Sequence, residues 1–324
     1  MASFGRLLHL GNVVVDVVLD VPALPERGGD VLASGSQVSP GGGFNVMVAA
    51  ARQGLPAAYA GAYGSGPFAA LARGALADAG IEVLQRPKAG LDTGFVVAVV
   101  DADGERTFLT SPGAEANLTA ADLAGVHASA RDVVYLSGYG LVHPASQQAL
   151  LDWLARLAGA NVVFLDPGPL VATIPAAVLD RVMRRADWLT CNVAEAAALT
   201  GRRDPVAALS ALVHRAGGPH GVVVRTGKHG CLLGRDGRAP VQVPGFPVSV
   251  ADTNGAGDAH TGVFIAALAR GASEPAAARA ANAAAALAVT RRGPATAPGA
   301  AELAAFLAAG PQPQDRQPQD RQPQ

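Results

Sequence analysis

The sequence predicts an α/β architecture: a mainly parallel β-sheet covered by helices on both faces, with a small second sheet projecting from it. Three observations carry this. Short, continuously apolar runs of strand length alternate with stretches of helical period, the pattern of a sheet buried on both sides. Two segments interrupt that alternation with strands that have no helix between them. The glycine-rich block Asp252-Thr253-Asn254-Gly255-Ala256-Gly257-Asp258 stands where an extended segment turns into a helix.

In chain order, the first strand is expected over residues 7–21 and carries one carboxylate, Asp16, among valines. A charge buried there without partners would be costly, so Asp16 is expected to face a polar cavity. Residues 30–39 follow with no helix, and Pro40-Gly41-Gly42-Gly43-Phe44-Asn45 opens a helix over 45–53. A strand at 57–62 and a helix at 67–79 come next. Residues 93–100 and 105–110, joined by Asp101-Ala102-Asp103-Gly104, have the alternation and turn residues of a β-hairpin, with Thr93, Phe95, Val97 and Val99 on one face. Helices at 120–129, 145–158, 175–185 and 206–216 then alternate with strands at 133–137, 162–166, 188–192 and 222–226. Residues 259–270 read as a helix closed by Gly271, and 276–289 as an alanine-rich helix containing Asn282. Residues 1–310 are expected to form one domain, with the small sheet built from about 13–39 and 91–111. From Pro311 the chain repeats Gln, Pro, Asp and Arg with no apolar residue, so 311–324 is expected to be a disordered tail.

Composition narrows the function classes. Half of the 324 residues are hydrophobic, only 16% are charged, and the formal net charge is −1. With no basic stripe and no long apolar run, neither a nucleic-acid nor a membrane partner is expected. Cys191 and Cys231 have no CxxC spacing, and the first 30 residues lack the features of a signal peptide, so a cytoplasmic location is expected.

The block at 252–258 suggests chemistry. Gly255 and Gly257 allow an anion to approach the main chain, and the N–H groups of the first helical turn, aided by the helix dipole, point at it. Asp258 beside that anion suits a base accepting a proton from an attacking hydroxyl. An Asp at a helix start is also a common cap, so the block is weighed with its company. It resembles the second motif of the PfkB (ribokinase-like) family of sugar and nucleoside kinases. The glycines and Asn45 resemble that family's first motif, and Gly11-Asn12-Val13-Val14-Val15-Asp16 its first strand. The likeness spans residues 7 to 309.

The resemblance implies a three-layer ribokinase-like sandwich whose small sheet is a lid over the substrate. It implies an ATP-dependent sugar kinase using Mg²⁺, with K⁺ as a further candidate ion. Asp16, Gly41, Gly42 and Asn45 would hold the sugar; Asp258 would be the base; Gly255, Ala256 and Gly257 would line the anion hole. The nucleotide would meet Asn192, Thr226, Gly227 and Asn282, and Asn192-Val193-Ala194-Glu195, also a helix capping box, would place Glu195 near Mg²⁺ through water. Asp166, ending its strand on the same sheet edge, is a weaker candidate of that kind, and Asp252 would border a monovalent cation. The loop departs from ribokinase, which has a Lys after its second glycine; Gly43 and Phe44 fill a shorter loop here. A homodimer through the lid is expected, since exposed lid edges favour a partner strand.

Two alternatives stay open at this point. A nucleoside kinase of the same fold would need an aromatic slot, for which Phe44 and Phe95 are candidates. A Rossmann oxidoreductase would use Gly64-Ser65-Gly66-Pro67-Phe68-Ala69 with Glu82, although this motif follows the second strand and Pro67 removes one N–H. A non-catalytic sugar-binding module fits poorly with an intact 255–258 block. Residues 221–229 mimic a P-loop but place His229 where Ser or Thr is required.

Overall fold

A computed structural model describes residues 4–310; the expected tail lies outside them. The elements run β1 (Arg6–Leu10), β2 (Val13–Asp20), β3 (Gly35–Gly42), α1 (Gly43–Arg52), β4 (Ala57–Tyr59), α2 (Pro67–Asp78), β5 (Glu82–Val83), β6 (Phe95–Val100), β7 (Arg106–Ser111) and α3 (Ala120–Leu123). The second half runs β8 (Asp132–Ser137), α4 (Pro144–Arg156), β9 (Val162–Asp166), α5 (Ala176–Arg185), β10 (Trp188–Asn192), α6 (Val193–Thr200), α7 (Pro205–Val213), β11 (Gly221–Arg225), β12 (Cys231–Arg235), β13 (Val241–Val243), α8 (Ala256–Ala269), α9 (Glu274–Val289) and α10 (Ala300–Ala309).

The large sheet has the order β13-β12-β11-β10-β9-β8-β1-β4-β5, parallel except for the edge strands β12 and β13. One of its faces buries Val46, Phe264, Ala277 and Ala281 from α1, α8 and α9; the other buries Leu150, Val182 and Leu209 from α4, α5 and α7. Covered on both sides, the central strands need no polar alternation, which is why they read as unbroken apolar runs. Their polar residues collect at the C-terminal edge, where Ser137 lies opposite Asp166 and Asn192 opposite Arg225.

The stretch expected as one strand over 7–21 is two. The chain leaves the large sheet at Gly11 and Asn12 and enters the small one at Val13. Burial of Tyr59 explains the break: its hydroxyl donates to the Ala62 carbonyl at 2.8 Å and accepts the Val13 N–H at 3.1 Å, withdrawing that donor from any continued ladder. Asp16 therefore sits within a small-sheet strand and does not end a strand of the main sheet. The small sheet has the order β3-β2-β6-β7, with β2 and β6 parallel. Register puts Asp16, Ser39, Val96 and Thr110 on one face, and Arg106 farther along it, paired with Val100 opposite Asp20. The other face carries the apolar row Val17, Val38, Val97 and Leu109.

Two further expectations change. The helix expected over 120–129 stops at Leu123 after one turn capped by Thr119 and Asp122, and Gly125 follows. The extended segment before the 252–258 block is a strand only at Val241–Val243.

Candidate active site

Gly255 caps the start of helix α8, and its φ of 70° lies in the left-handed region that a side chain rarely adopts. Among the described residues, the N–H groups of Gly255, Gly257 and Asp258 have no protein acceptor. They are free donors at the positive end of a 14-residue helix. Asp258 is half-buried in this first turn and accepts a 3.0 Å hydrogen bond from Asn45 Nδ2.

That bond spans 213 positions of sequence, and a glycine makes it possible. One turn after Asp258, Gly262 faces α1 so closely that a β-carbon would fall 2.4 Å from the Val46 carbonyl oxygen. The near contact of the two helix backbones brings Asn45, at the start of α1, against Asp258. Gly43 is constrained similarly: a β-carbon there would overlap the His9 ring, 1.6 Å from Nε2.

Burial pushes the Asp258 carboxyl up to about 7; the Asn45 N–H opposes the shift, Asp166 adds to it, and Arg225 again opposes it. A carboxylate poised near neutrality is a capable proton acceptor. Asp16 reaches the same region from β2, packed so tightly on Gly41 that a β-carbon would lie 2.2 Å from its Oδ2. Burial raises its carboxyl to about 6, and no protein group among the described residues hydrogen-bonds it. Around these two acids, Asn45 Oδ1, Asn12 Oδ1 and Ser39 Oγ are buried polar atoms without protein partners. Such atoms are costly unless a ligand or water completes them. Asn12 and Ser39 were not singled out in the sequence, since a lone Asn beside a strand break and a Ser in a strand carry no distinctive spacing.

Along the C-terminal sheet edge, Asn192 and Glu195 form the capping box and more: Glu195 Oε2 accepts the Asn192 N–H at 2.7 Å and Oε1 accepts Nδ2 at 2.8 Å. Both oxygens of Glu195 are thus engaged. Thr226 Oγ1 is buried without a partner, and Gly227, at φ 61°, faces open space. Tyr139, half-buried, belongs to the same cleft; burial and then the charges of Asp258, Asp166 and Asp16 push its phenol up to about 12.

Arg225 is a further functional candidate that sequence reasoning missed. Its Nη1 donates to Thr190 Oγ1 at 2.5 Å, Asp166 Oδ2 at 3.0 Å and Thr261 Oγ1 at 3.2 Å, and Nη2 approaches Glu195 Oε2 at 3.4 Å. The available signal was an Arg closing the apolar run Gly221-Val222-Val223-Val224, the same anomaly that drew attention to Asp16.

Two further residues or motifs singled out in the sequence have defined partners. Asn282 is buried; its Oδ1 accepts from His260 Nε2 at 3.1 Å, and its Nδ2 donates to the carbonyls of Val243 and Pro244 at 2.9 and 3.1 Å. These bonds tie α9 to the end of β13. The glycines of the Gly64–Ala69 motif receive no dinucleotide. A β-carbon at Gly64 or Gly66 would fall 2.4 Å from Asp92, whose carboxylate caps α2 by accepting the N–H groups of Phe68 and Ala69 at 3.1 and 2.8 Å. An internal carboxylate takes the place that a pyrophosphate would need.

Asp252 holds the loop before α8. It accepts the Asn254 N–H at 2.7 Å and the Gly293 N–H at 3.0 Å, and pairs with Arg106 from the small sheet. Burial works against its charge, but these donors outweigh burial and hold the carboxyl below its usual range.

The model of the pfkB family of carbohydrate kinases matches residues 6–300. This chain belongs to that family. The kinase is 34% identical over 270 residues to an uncharacterized sugar kinase, YegV, of Escherichia coli K12, covering 82% of each chain. It is 30% identical to the ribokinase of Haemophilus influenzae, covering 89% of this chain and 93% of that one. Among solved structures, the Arabidopsis thaliana ribokinase complexed with ribose and ATP superposes with a TM-score of 0.77 at 26% identity, over 95% of this chain and 99% of that one. This pfkB-family protein is accordingly a sugar kinase, a phosphotransferase with an alcohol acceptor that uses ATP. The nicotinamide alternative is thereby displaced. No helix among the described residues is long and apolar enough to cross a membrane.

Proposed function

We propose that this kinase binds a small neutral sugar between its two sheets and transfers the γ-phosphoryl group of ATP to one of its hydroxyls, with Asp258 as the base. The carrying observation is the Asn45–Asp258 pair at the start of α8: a carboxyl raised to about 7 stands beside free N–H donors. Asp16, Gly41, Gly42 and Asn45 hold the sugar, joined by Asn12 and Ser39. Asp16 accepts from two hydroxyls, and the orphaned atoms take further ones. Asp258 withdraws the hydroxyl proton. The N–H groups of Gly255, Ala256, Gly257 and Asp258 stabilise charge on the group in transfer. Asn192, Thr226 and Gly227 receive the nucleotide, and the unpartnered Thr226 Oγ1 supports this.

The oxygen chemistry at the sheet edge fits Mg²⁺, which screens phosphate charge when bound. Because both Glu195 oxygens are engaged by Asn192, Glu195 would hold the ion through water, with Asp166 beside it. For K⁺, both carboxylate oxygens of Asp252 are already occupied, so main-chain carbonyls would be the ligands. Neither aromatic candidate among the described residues favours a nucleoside. Phe95 packs on Phe68 with ring centroids 5.2 Å apart, and Phe44 lines a groove of about 560 Å³ between α1 and α2 whose walls include neither Asp16 nor Asp258. We place the reaction in the cytoplasm, consistent with two free, buried cysteines. The half-exposed row around Val38 and Leu109 supports a homodimer through the small sheet.

The test is ADP release with a panel of pentoses, hexoses, ketoses, sugar acids and nucleosides. Turnover with a neutral pentose or hexose is expected, the names of the Haemophilus ribokinase relative and of a Klebsiella pneumoniae fructokinase, 31% identical, making ribose and fructose the first choices. Nucleoside-only turnover would overturn the reading.

The small sheet also serves as a lid, and Arg106 latches it. Its Nη2 pairs with Asp252 and its Nη1 lies 3.5 Å from Thr253 Oγ1, joining the small sheet to the loop before α8. Arg106→Ala is expected to raise sugar-independent ATP hydrolysis several-fold, because a loosened lid admits water. A partly exposed ion pair contributes only about 0–1 kcal/mol, so Tm should change little. Unchanged hydrolysis without sugar would exclude the latch.

A further inference from the structure

Arg225 holds a guanidinium beneath the first turn of α8, and most of what it touches is accounted for except one edge. Nη1 serves Asp166, Thr190 and Thr261; Nη2 has a single long contact, 3.4 Å, to Glu195. Nε has no protein acceptor among the described residues. The side chain is 14% exposed. The free edge faces Gly257: a β-carbon on that residue would stand 3.5 Å from Nε, 3.6 Å from Cζ and 3.7 Å from Nη2. A β-carbon there would make ordinary van der Waals contact, so the bare Gly257 leaves the guanidinium edge uncovered beside a helix start whose N–H donors are also free.

The electrostatic setting makes this edge consequential. Asp166, Glu195 and Asp258 bring three carboxyl groups to the neighbourhood of an incoming phosphoryl group, and Arg225 supplies a cation among them. Without that cation, the main-chain dipoles and a bound Mg²⁺ would have to counter the repulsion. A planar guanidinium anchored on one side by Asp166 and Thr190 is held rigidly, so its other side can donate without reorganising.

The geometry points to Arg225 as a further catalytic residue: its Nε–Nη2 edge donates to a peripheral oxygen of the phosphoryl group in transfer, while Nη1 stays on Asp166 and Thr190. This rests on the kinase reading above. In the step it assists, the sugar oxygen forms a bond to the γ-phosphorus and the bond from that phosphorus to the bridging oxygen breaks. The electron pair of that bond stays on ADP, and the hydroxyl proton goes to Asp258. Arg225 neither gives nor takes a proton; it offsets charge on oxygens that the free N–H groups of α8 meet from the other side.

Arg225→Lys keeps a cation beside Asp166 and Glu195 but removes the planar edge. With the sugar that the native enzyme uses best, kcat should fall about 10²- to 10³-fold, the loss expected for one donor to a developing anion. Dissociation constants for sugar and for ADP should stay within about threefold. Binding of ADP with aluminium fluoride and sugar, a mimic of the planar phosphoryl group, should weaken in parallel with kcat. Gly257→Ala, which leaves the Arg225 anchors in place and covers that edge, should weaken the mimic in the same way and provides for the case of a Lys variant that does not fold. A folded Lys variant with native kcat and native mimic affinity would overturn the proposal. So would equal losses of ADP, sugar and mimic binding, which would mark Arg225 as a structural cation. Asp258→Asn is measured alongside. If it and the native enzyme behave as expected while Arg225→Lys is unaltered, only the Arg225 assignment falls; a native enzyme inactive on every sugar removes both.

Discussion

Asp258→Asn is expected to lower kcat by about 10²- to 10⁴-fold with little change in either KM, because the amide keeps the shape of the site but cannot accept the hydroxyl proton. The same substitution should stabilise the protein. Burial pushes the folded carboxyl up to about 7, well above its ordinary value of 3.8. Between those values the folded state binds more protons than the unfolded chain, so stability falls as pH rises through this window. Allowing for water in the cleft, this is a cost on the order of 1–3 kcal/mol at pH 8 that the Asn variant escapes. A melting curve at pH 8 should show the variant a few degrees more stable than the native enzyme, and the difference should shrink toward pH 4. A variant with native kcat would remove Asp258 from the base role; one less stable than native at pH 8 would show that the carboxylate is not strained by its burial.

Asp16→Ala is the second large effect. The carboxylate has no protein partner among the described residues, so its removal leaves no buried donor unsatisfied and the fold should tolerate it. Loss of two charge-assisted hydrogen bonds to the sugar should raise the sugar KM about 10²-fold or more, with the ATP KM within about threefold. Its titration also shapes the pH profile. The sugar-binding form is the charged one, and burial raises this carboxyl to about 6 while Asp258 lies near 7. In the native enzyme, kcat/KM for sugar should fall with decreasing pH, first with a slope of 1 below about 7 and then approaching 2 below about 6. Asp258→Asn should lose the upper inflection. An unchanged sugar KM in Asp16→Ala, or loss of ATP binding alone, would take Asp16 out of the sugar site.

Much of this was legible in the primary structure. The strands β8 to β11 and most helices announced themselves because each buries a continuous or periodic apolar surface, which is a local property of composition. The hairpin Phe95–Val100 with Arg106–Ser111 was legible through its turn residues. The site residues that could be read were charges or glycines in improbable places: Asp16 among valines, and Gly255 at a left-handed helix start. The division of residues 7–21 into two strands was not legible, since no local signal says that the Tyr59 hydroxyl will claim the Val13 N–H. Nor did Ala120 to Ser129 betray that only four residues would be helical. The carbonyl partners of Asn282 were not legible either, because an Asn among alanines looks the same whatever its amide meets.

By itself the sequence determined the layered architecture, the turn that opens at Gly255, and the residue types that phosphoryl transfer requires. These depend on burial patterns and backbone freedom that each segment carries with it. Tertiary structure alone decided which of those residues meet. The close crossing of α1 and α8 at Gly262 puts Asn45 on Asp258, the in-register ends of parallel strands gather Asp166, Asn192 and Arg225, and the packing of the small sheet's Asp16 against Gly41 places a second acid over the cleft. Contacts between residues more than 200 positions apart arise from how whole elements pack, and packing is a property of the assembled core that no single segment encodes.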